Sequence, residues 1–263
     1  MPLKLVPSTP EDVPLMVETY FEAFSQDPIH QRFAPKGTPS AHAFWTQALT
    51  AEIRDKNNHF LSVWDDTASP EAFVGFAKWI SPGASPEPVP AVDQWPSEGD
   101  QKFSAFFFGR LSDMHHEAMG ERPHWYLELL AVNPEYQGKG AASLMLRYGV
   151  DKADEDKVEC FLDASPKGQP IYERYGFRVV QSDTFLDGTY VQCAMPPEAN
   201  DASATWRTMS LLELQETDGL LPSLLSCSEF PASFRDGSRV KRLKAVKLVM
   251  KRLSSLLSIR IIA

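Results

Sequence analysis

The sequence predicts an α/β domain, because segments with strand patterning alternate with segments of helical spacing along most of the chain. The clearest unit spans residues 126–142, where an apolar run meets Asn133-Pro134 and then a glycine loop that opens onto a helix-like segment. A second observation is the capping-box spacing of Ser8-Thr9-Pro10-Glu11, which predicts a helix start close to the first strand.

The individual elements follow in chain order from apolar periodicity and from the turn residues between them. The predicted strands cover residues 3–6, 59–64, 72–80, 127–132, 158–164, 177–181 and 189–195. The predicted helices cover residues 8–24, 41–54, 102–119, 142–155 and 170–175. A proline-rich segment at 81–100 is predicted to be a long loop, and loops of this length are usually functional or disordered. The nearby Trp79 and Trp95 suggest a pocket flanked by aromatic rings.

Composition indicates a globular enzyme-sized protein, with 43% apolar and 23% charged residues in a chain of 263. The sequence shows neither a secretory signal nor an apolar run long enough to span a membrane, so we expect a cytoplasmic protein.

Three cysteines, Cys160, Cys193 and Cys227, are far apart and lack paired metal spacing. We therefore expect no metal site, and we expect Cys160 and Cys193, which lie in apolar strand-like runs, to be buried structural thiols.

Charge is distributed unevenly along the chain. The net charge is −9, yet the residues after Asp236 carry eight basic side chains and no acidic one, so the rest of the chain carries −17. Such an acidic body argues against nucleic acid as a partner and is compatible with a cationic amine substrate.

The domain organisation follows from a change of character after Pro196-Pro197. We predict one catalytic domain at 1–197, a flexible linker at 198–238 and a basic amphipathic helix at 239–263. That helix can bind an anionic membrane surface or another helix, and the alternative is that it docks on its own domain or has no role.

The glycine loop predicts an anion-binding cradle. Gly138 and Gly140 let backbone N–H groups turn toward one point, and the helix that follows presents its positive end to the same point. A pyrophosphate is the most plausible occupant, and an ordinary strand–turn–helix is the alternative on the loop alone.

Two blocks resemble the GNAT superfamily of N-acyltransferases. The first, Gln137-x-x-Gly140-x-Ala142, is similar to its acyl-CoA signature. The second comprises residues 158–164 and 171–177, which are similar to its next strand and to its Tyr-x-x-x-Gly-Phe element. The resemblance implies an α/β GNAT fold, in which a central, mixed, mostly antiparallel sheet has a splayed parallel strand pair and helices on both faces.

The resemblance also implies acetyl-CoA as the co-substrate. Backbone groups of Leu130, Ala131 and Val132 would bind the pantetheine arm. The pyrophosphate would lie against the signature loop, which comprises Gln137, Gly138, Lys139, Gly140, Ala141, Ala142 and Ser143. Ser165 stands where many members have an asparagine that binds the cofactor, and Gly168 stands where many have alanine. For Lys139, a solvated side chain is the alternative to a phosphate contact.

Two side chains carry the expected chemistry. By resemblance, Tyr172 is the general acid that protonates the departing CoA sulfur, with a core aromatic as the alternative. Glu128 is a carboxylate inside an apolar strand, which is costly unless it is paired or faces a cleft. It would remove the amine proton, unless it pairs with a basic residue of the fold or one of His115, His116 and His124 is the base instead.

Three functions remain open at this point. The first is acetyl transfer to a primary amine of a small molecule. The second is acetylation of a protein lysine or N-terminus. The third is a non-catalytic CoA-binding module that keeps the fold without the chemistry.

Overall fold

A computed structural model describes residues 3–196, except Ser69, Ser85, Glu87 and Asp187. The predicted linker at 198–238, the predicted basic helix at 239–263 and Cys227 lie outside the described residues. None of the helices among the described residues combines the length and apolar content needed to cross a bilayer.

Seven strands and six α-helices alternate along the described chain. The strands are β1 (Leu3–Pro7), β2 (Asn58–Asp65), β3 (Ala72–Ile80), β4 (His124–Val132), β5 (Glu159–Ala164), β6 (Arg178–Phe185) and β7 (Gly188–Met195). The helices are α1 (Val13–Ala23), α2 (Pro28–Phe33), α3 (Pro39–Glu52), α4 (Gln101–Met119), α5 (Ala141–Asp156) and α6 (Gln169–Glu173).

The strands form one sheet in the order β1-β2-β3-β4-β5-β7-β6. Neighbouring strands are antiparallel except for the central pair β4 and β5, which is parallel. This confirms the predicted mixed, mostly antiparallel sheet with one parallel pair. Within residues 3–196, every predicted strand and helix is present, and α2 is the one described α-helix that the sequence patterns did not predict.

Helix starts have identifiable local causes. Asp27 caps α2 by accepting hydrogen bonds from the backbone N–H groups of Ile29 and His30, and proline follows at the first helical position. Asp100 caps α4 by accepting from the N–H of Phe103. Both caps satisfy N–H groups that a helix leaves without an internal partner.

The two faces of the sheet bury separate apolar clusters. One cluster lies under α5, where the indole N–H of Trp79 donates to the carbonyl of Met145 at 3.0 Å, and Gly149 lets the helix backbone approach the same ring. The other lies under α1, α3 and α4 and includes Trp95, which stacks on Phe108 with 4.8 Å between ring centroids. Trp79 and Trp95 therefore belong to opposite faces, and the predicted pocket between them is wrong.

The parallel pair opens partway along its length. The β4–β5 ladder runs from the pair His124–Glu159 to the pair Leu127–Leu162 and then ends. On the other side, β4 stays paired with β3, but Leu127 faces Trp79 while Leu129 faces Lys78. Glu128 is consequently the extra residue of a β-bulge, which bends a strand and redirects its side chains. The bulge lies where the two central strands separate.

Candidate active site

The glycine loop after β4 has the backbone conformation that an anion cradle requires. Gly138 and Gly140 adopt φ values of 75° and 94°, and the second of them begins α5. A Cβ added at either position would meet no atom within 4 Å. Glycine is required there by the left-handed backbone, and open space remains in front of the loop for a bound group.

The start of α5 provides donors for that space. The N–H of Leu144 bonds the carbonyl of Gly140 at 3.2 Å, so the preceding N–H groups of Ala141, Ala142 and Ser143 have no acceptor one turn earlier in the helix. The positive end of the helix dipole lies at the same place. This arrangement fits a pyrophosphate, and the acyl-CoA loop of the resemblance therefore suits the residues present.

Two polar side chains of the loop have partners within the protein. The side-chain amide of Gln137 donates to the carbonyl of Val132 at 3.1 Å. The ammonium group of Lys139 lies 4.9 Å from the centre of the Tyr136 ring, which is a cation–π distance. Gln137 therefore ties the loop to the end of β4, and Lys139 is exposed beside it.

Past Leu127, β4 has a strand neighbour only at β3 among the residues that the structure describes. This part of β4 includes Leu130, Ala131 and Val132, the three residues predicted to bind pantetheine. Backbone groups at an open edge can bind an extended chain as a strand neighbour would. Binding of the pantetheine arm by these residues stays a prediction.

Tyr172 lies on α6, and its ring packs edge-on against Phe177 with 6.1 Å between centroids. Burial, with a smaller contribution from Cys193, raises the pKa of Tyr172 to about 12. The hydroxyl is therefore protonated at neutral pH, as a general acid must be before it acts.

The turn before α6 fixes the position of this tyrosine. The hydroxyl of Ser165 accepts a hydrogen bond from the N–H of Gly168 at 3.2 Å. A Cβ at Gly168 would lie 3.0 Å from the Tyr172 ring, so the glycine found in place of alanine leaves room for the aromatic side chain. Ser165 has a structural partner here whether or not it also contacts a cofactor.

Glu128 forms an ion pair with Lys78, which is also 3.0 Å from Glu52 at the end of α3. The side chain of Lys78 is 1% exposed, whereas those of Glu52 and Glu128 are 18% and 28% exposed. Burial lowers the pKa of Lys78, but the charges of Glu128 and Glu52 outweigh it, and the net pKa is raised. The lysine therefore stays charged between two carboxylates.

A second carboxylate, Asp163 on β5, was not predicted as a site residue. One of its oxygens accepts from the Tyr126 hydroxyl at 2.7 Å and the other from the Gln192 side-chain amide at 2.8 Å. Burial, reinforced by the charge of Glu128, raises the pKa of Asp163 to about 6. The sequence signal was available, since Asp163 interrupts an apolar strand as Glu128 does.

The histidines occupy the other end of the central pair. The Nε2 atoms of His115 and His124 are 2.8 Å apart, and His124 begins β4 at the end of the ladder farthest from the bulge. His116 is exposed on α4. The structure thus does not bring these three side chains to the opening between β4 and β5. No group of three or more His, Cys, Asp or Glu side chains suited to a metal ion occurs within residues 3–196 as described.

Comparison with known proteins agrees with this geometry. A sequence model described as an acetyltransferase (GNAT) domain matches residues 114–192. The curated N-acetyltransferase YafP of Escherichia coli, whose description calls it uncharacterized, is 38% identical over 56 residues. That match covers 21% of this chain and 35% of the relative, so the chain spans about a third of the relative's length.

Solved structures share the fold. One is described as histone acetyltransferase HPA2 and related acetyltransferase from Corynebacterium glutamicum, with a TM-score of 0.53, 21% identity, and coverage of 77% of this chain and 100% of that one. Another is the C-terminal condensation domain of Ebony in complex with beta-alanyl-dopamine, with a TM-score of 0.57, 10% identity, and coverage of 74% and 99%. At these identities the likeness concerns the fold. Together with the match of residues 114–192 to the family's sequence model, it makes this part of the chain similar to a GNAT acetyltransferase domain.

Proposed function

We propose that the chain is an acetyl-CoA-dependent N-acetyltransferase that transfers the acetyl group directly to a primary amine of a small molecule. The observation that carries this proposal is the combination of a left-handed glycine loop at the start of α5 with an open edge of β4. The loop would bind the pyrophosphate and the strand edge would bind the pantetheine arm. The thioester would then lie where β4 and β5 separate.

The acidic character of that opening supports an amine acceptor. Glu128, Glu52 and Asp163 contribute three carboxylates to the centre of the sheet, and Lys78 contributes one compensating positive charge. A cationic group is therefore attracted to this region. The carboxylate of Glu128 already pairs with the ammonium group of Lys78, and it can hold the ammonium group of an acceptor in the same way. Its predicted role in removing the amine proton stays a prediction.

Tyr172 is proposed as the acid of the reaction. The amine nitrogen uses its electron pair to form a bond to the acetyl carbon, and the carbon–sulfur bond breaks with its electron pair leaving on sulfur. Tyr172 gives its proton to that sulfur, and the proton still on the nitrogen then replaces it. A tyrosine whose pKa is raised to about 12 holds its proton until a strong base appears nearby.

Two other functions use the same features. A protein lysine or N-terminus presents the same ammonium group as a small amine, so acetylation of a protein is the alternative. A non-catalytic CoA-binding module would keep the loop without needing Tyr172 and the carboxylates. We also propose a cytoplasmic location, which is supported by Cys160 and Cys193, two buried thiols that are not joined in a disulfide.

The test has two parts. Calorimetry with acetyl-CoA measures cofactor binding, and thiol release measures transfer to cadaverine, 2-phenylethylamine, a lysine-containing peptide and a peptide with a free N-terminus. We expect binding, and faster thiol release with the small amines than without an acceptor. Release with the peptides alone would favour the protein acceptor. Binding without release would favour the non-catalytic module, and the absence of binding would overturn the proposal.

A further inference from the structure

Two carboxylates flank the point where the central strands separate. The last pair of the β4–β5 ladder is Leu127–Leu162, and the next residue on each strand is acidic: Glu128 on β4 and Asp163 on β5. Tyr126 bonds Asp163 through its hydroxyl, so the side chain of Asp163 projects to the same face of the sheet as that of Tyr126. This is the face that α4 covers, because His115 of that helix stacks on Phe161.

The two carboxylates have different partners. Glu128 forms an ion pair with the buried Lys78. Asp163 accepts hydrogen bonds from the neutral groups of Tyr126 and Gln192, and no described cationic side chain forms an ion pair with it. The ion pair holds the carboxylate of Glu128 against Lys78. Asp163 is free of that restriction.

Burial sets the basicity of Asp163 in the range that a general base needs. Its pKa is raised to about 6, mainly by burial, whereas the bonds from Tyr126 and Gln192 act in the opposite direction. The carboxylate is consequently ionised at neutral pH and still able to accept a proton. Burial and the charges of Asp163 and Glu128 also raise the pKa of Tyr126 well above its ordinary value, so its hydroxyl remains a donor.

We propose that Asp163 is the group that takes the proton from the acceptor's ammonium at the opening between β4 and β5, while Glu128 and its lysine partner hold the acceptor in place. The proposal rests on the acetyltransferase function proposed above. One proton moves from nitrogen to a carboxylate oxygen of Asp163, and the freed electron pair on nitrogen becomes available for attack. Asp163 returns the proton to water after the product leaves.

Tyr126 and Gln192 are positioning residues in this arrangement. The Gln192 amide uses one N–H for Asp163 and the other for the carbonyl of Leu111 on α4, at 3.0 Å. This bond to the helix backbone fixes the orientation of the amide, and the amide in turn fixes the carboxylate. The titratable and charged groups around Asp163 are Tyr126 and Glu128 on β4, Lys78 on β3, Cys193 on β7 and His115 on α4.

The first test compares Asp163→Asn with Glu128→Gln in the thiol-release assay with cadaverine, across pH 5 to 9. We expect Asp163→Asn to lower kcat by about 10²-fold. The ratio of the wild-type rate to the Asp163→Asn rate should rise about tenfold per pH unit below pH 6 and level off above it. Taking the ratio cancels the ionisation of the amine itself. Glu128→Gln should mainly raise KM. It should keep the acid limb, which is the part of the pH profile below about pH 6 where the rate falls.

Two further variants sharpen this comparison. Tyr126→Phe removes a hydrogen bond that favours the ionised form of Asp163, so it should move the limb to higher pH. Asp113→Asn removes an exposed carboxylate from α4 and should leave both kcat and the limb unchanged. If Asp163→Asn keeps the wild-type kcat and limb, or if Glu128→Gln alone loses the limb, the assignment to Asp163 is overturned while the acetyltransferase function stands.

A readout that needs no turnover completes the test. The folded-state pKa of Asp163 lies above that of an unfolded aspartate, so the folded wild type binds more protons between about pH 4 and pH 6 and loses stability as pH rises through that window. Thermal melting of Asp163→Asn should lack this loss, and calorimetry should give wild-type affinity for acetyl-CoA. Failure of the wild type to bind acetyl-CoA would overturn the proposed function and this inference with it. An unchanged melting profile in Asp163→Asn would contradict the inference alone.

Discussion

The side-chain amide of Gln137 donates a hydrogen bond to the backbone carbonyl of Val132, with 3.1 Å between nitrogen and oxygen. The bond joins the residue that begins the glycine loop to the last residue of β4 across the intervening turn. It therefore holds the proposed phosphate cradle in a fixed position relative to the strand edge that would bind the rest of the cofactor.

Gln137→Ala should weaken acetyl-CoA binding about fivefold, because one hydrogen bond of this kind contributes about 1 kcal/mol. Calorimetry measures the change. Glu135→Ala is the matched control, since Glu135 is exposed in the same turn. Equal affinity in the two variants would show that the loop does not depend on this bond.

Gly140→Asp should abolish acetyl-CoA binding. The new side chain strains a backbone with φ of 94° and places a negative charge beside the expected phosphate position. Gly83→Asp is the control, because Gly83 has a similar φ of 82° and equally open surroundings in the loop after β3. We expect Gly83→Asp to bind acetyl-CoA normally in calorimetry. Loss of binding in both variants would indicate general backbone damage.

Tyr172→Phe should keep acetyl-CoA binding and lower turnover by about 10²-fold, the scale expected for a lost general acid. The ring that packs against Phe177 is retained in this variant. Tyr175→Phe, which alters a partly buried tyrosine of the same segment, should have wild-type turnover. Wild-type thiol release by Tyr172→Phe would assign Tyr172 to the core.

Short-range patterns explain why most of the fold was predictable from the sequence. β4, the glycine loop and α5 each have a local signature in apolar spacing, proline and glycine, and the structure has all three. α5 lies within one residue of its predicted bounds, whereas β4 begins three residues before the predicted strand. α2 was missed because six residues are too few for a periodic pattern. Its local signal is limited to a helix start, Asp27 followed by proline.

The electrostatic partners in the site were not predictable, because strand register determines them. Lys78 meets Glu128 only because β3 and β4 are paired with a bulge at that position. Asp163 meets Tyr126 and Gln192 through pairings with residues that are distant in the sequence. The sequence identified the carboxylate in the apolar strand but could not identify its cation.

Lys78→Met should destabilise the protein by roughly 2 kcal/mol, because it leaves Glu52 and Glu128 facing each other without the charge between them. Denaturant unfolding at pH 7.5 measures the loss. Lys152→Met removes an exposed ion pair with Glu155 on α5 and should change stability by less than about 0.5 kcal/mol. Equal effects of the two substitutions would show that the buried ion pair contributes no more than a surface one.

The histidine pair on α4 and β4 should make the protein sensitive to acid. Nδ1 of His124 lies 2.7 Å from the carbonyl of Arg122 and must carry its proton to bond it, so Nε2 of a neutral His124 accepts from the Nε2–H of His115. Protonating both rings would break this bond. Burial, together with the nearby His124, accordingly lowers the pKa of His115 to about 4.

His115→Phe should therefore flatten the acid dependence of stability. The unfolded chain binds a proton near pH 6.5 while the folded chain resists it down to about pH 4, so stability is fully present above pH 6.5 and declines as pH falls through that window. Phenylalanine keeps the stacking on Phe161, which has 4.4 Å between ring centroids, and removes the titrating group. Between pH 6.5 and pH 4, the free energy of unfolding of His115→Phe should fall by roughly 2 kcal/mol less than that of the wild type. His116→Gln, an exposed change on the same helix, should follow the wild type, and a wild-type pH slope in His115→Phe would contradict the assigned proton positions.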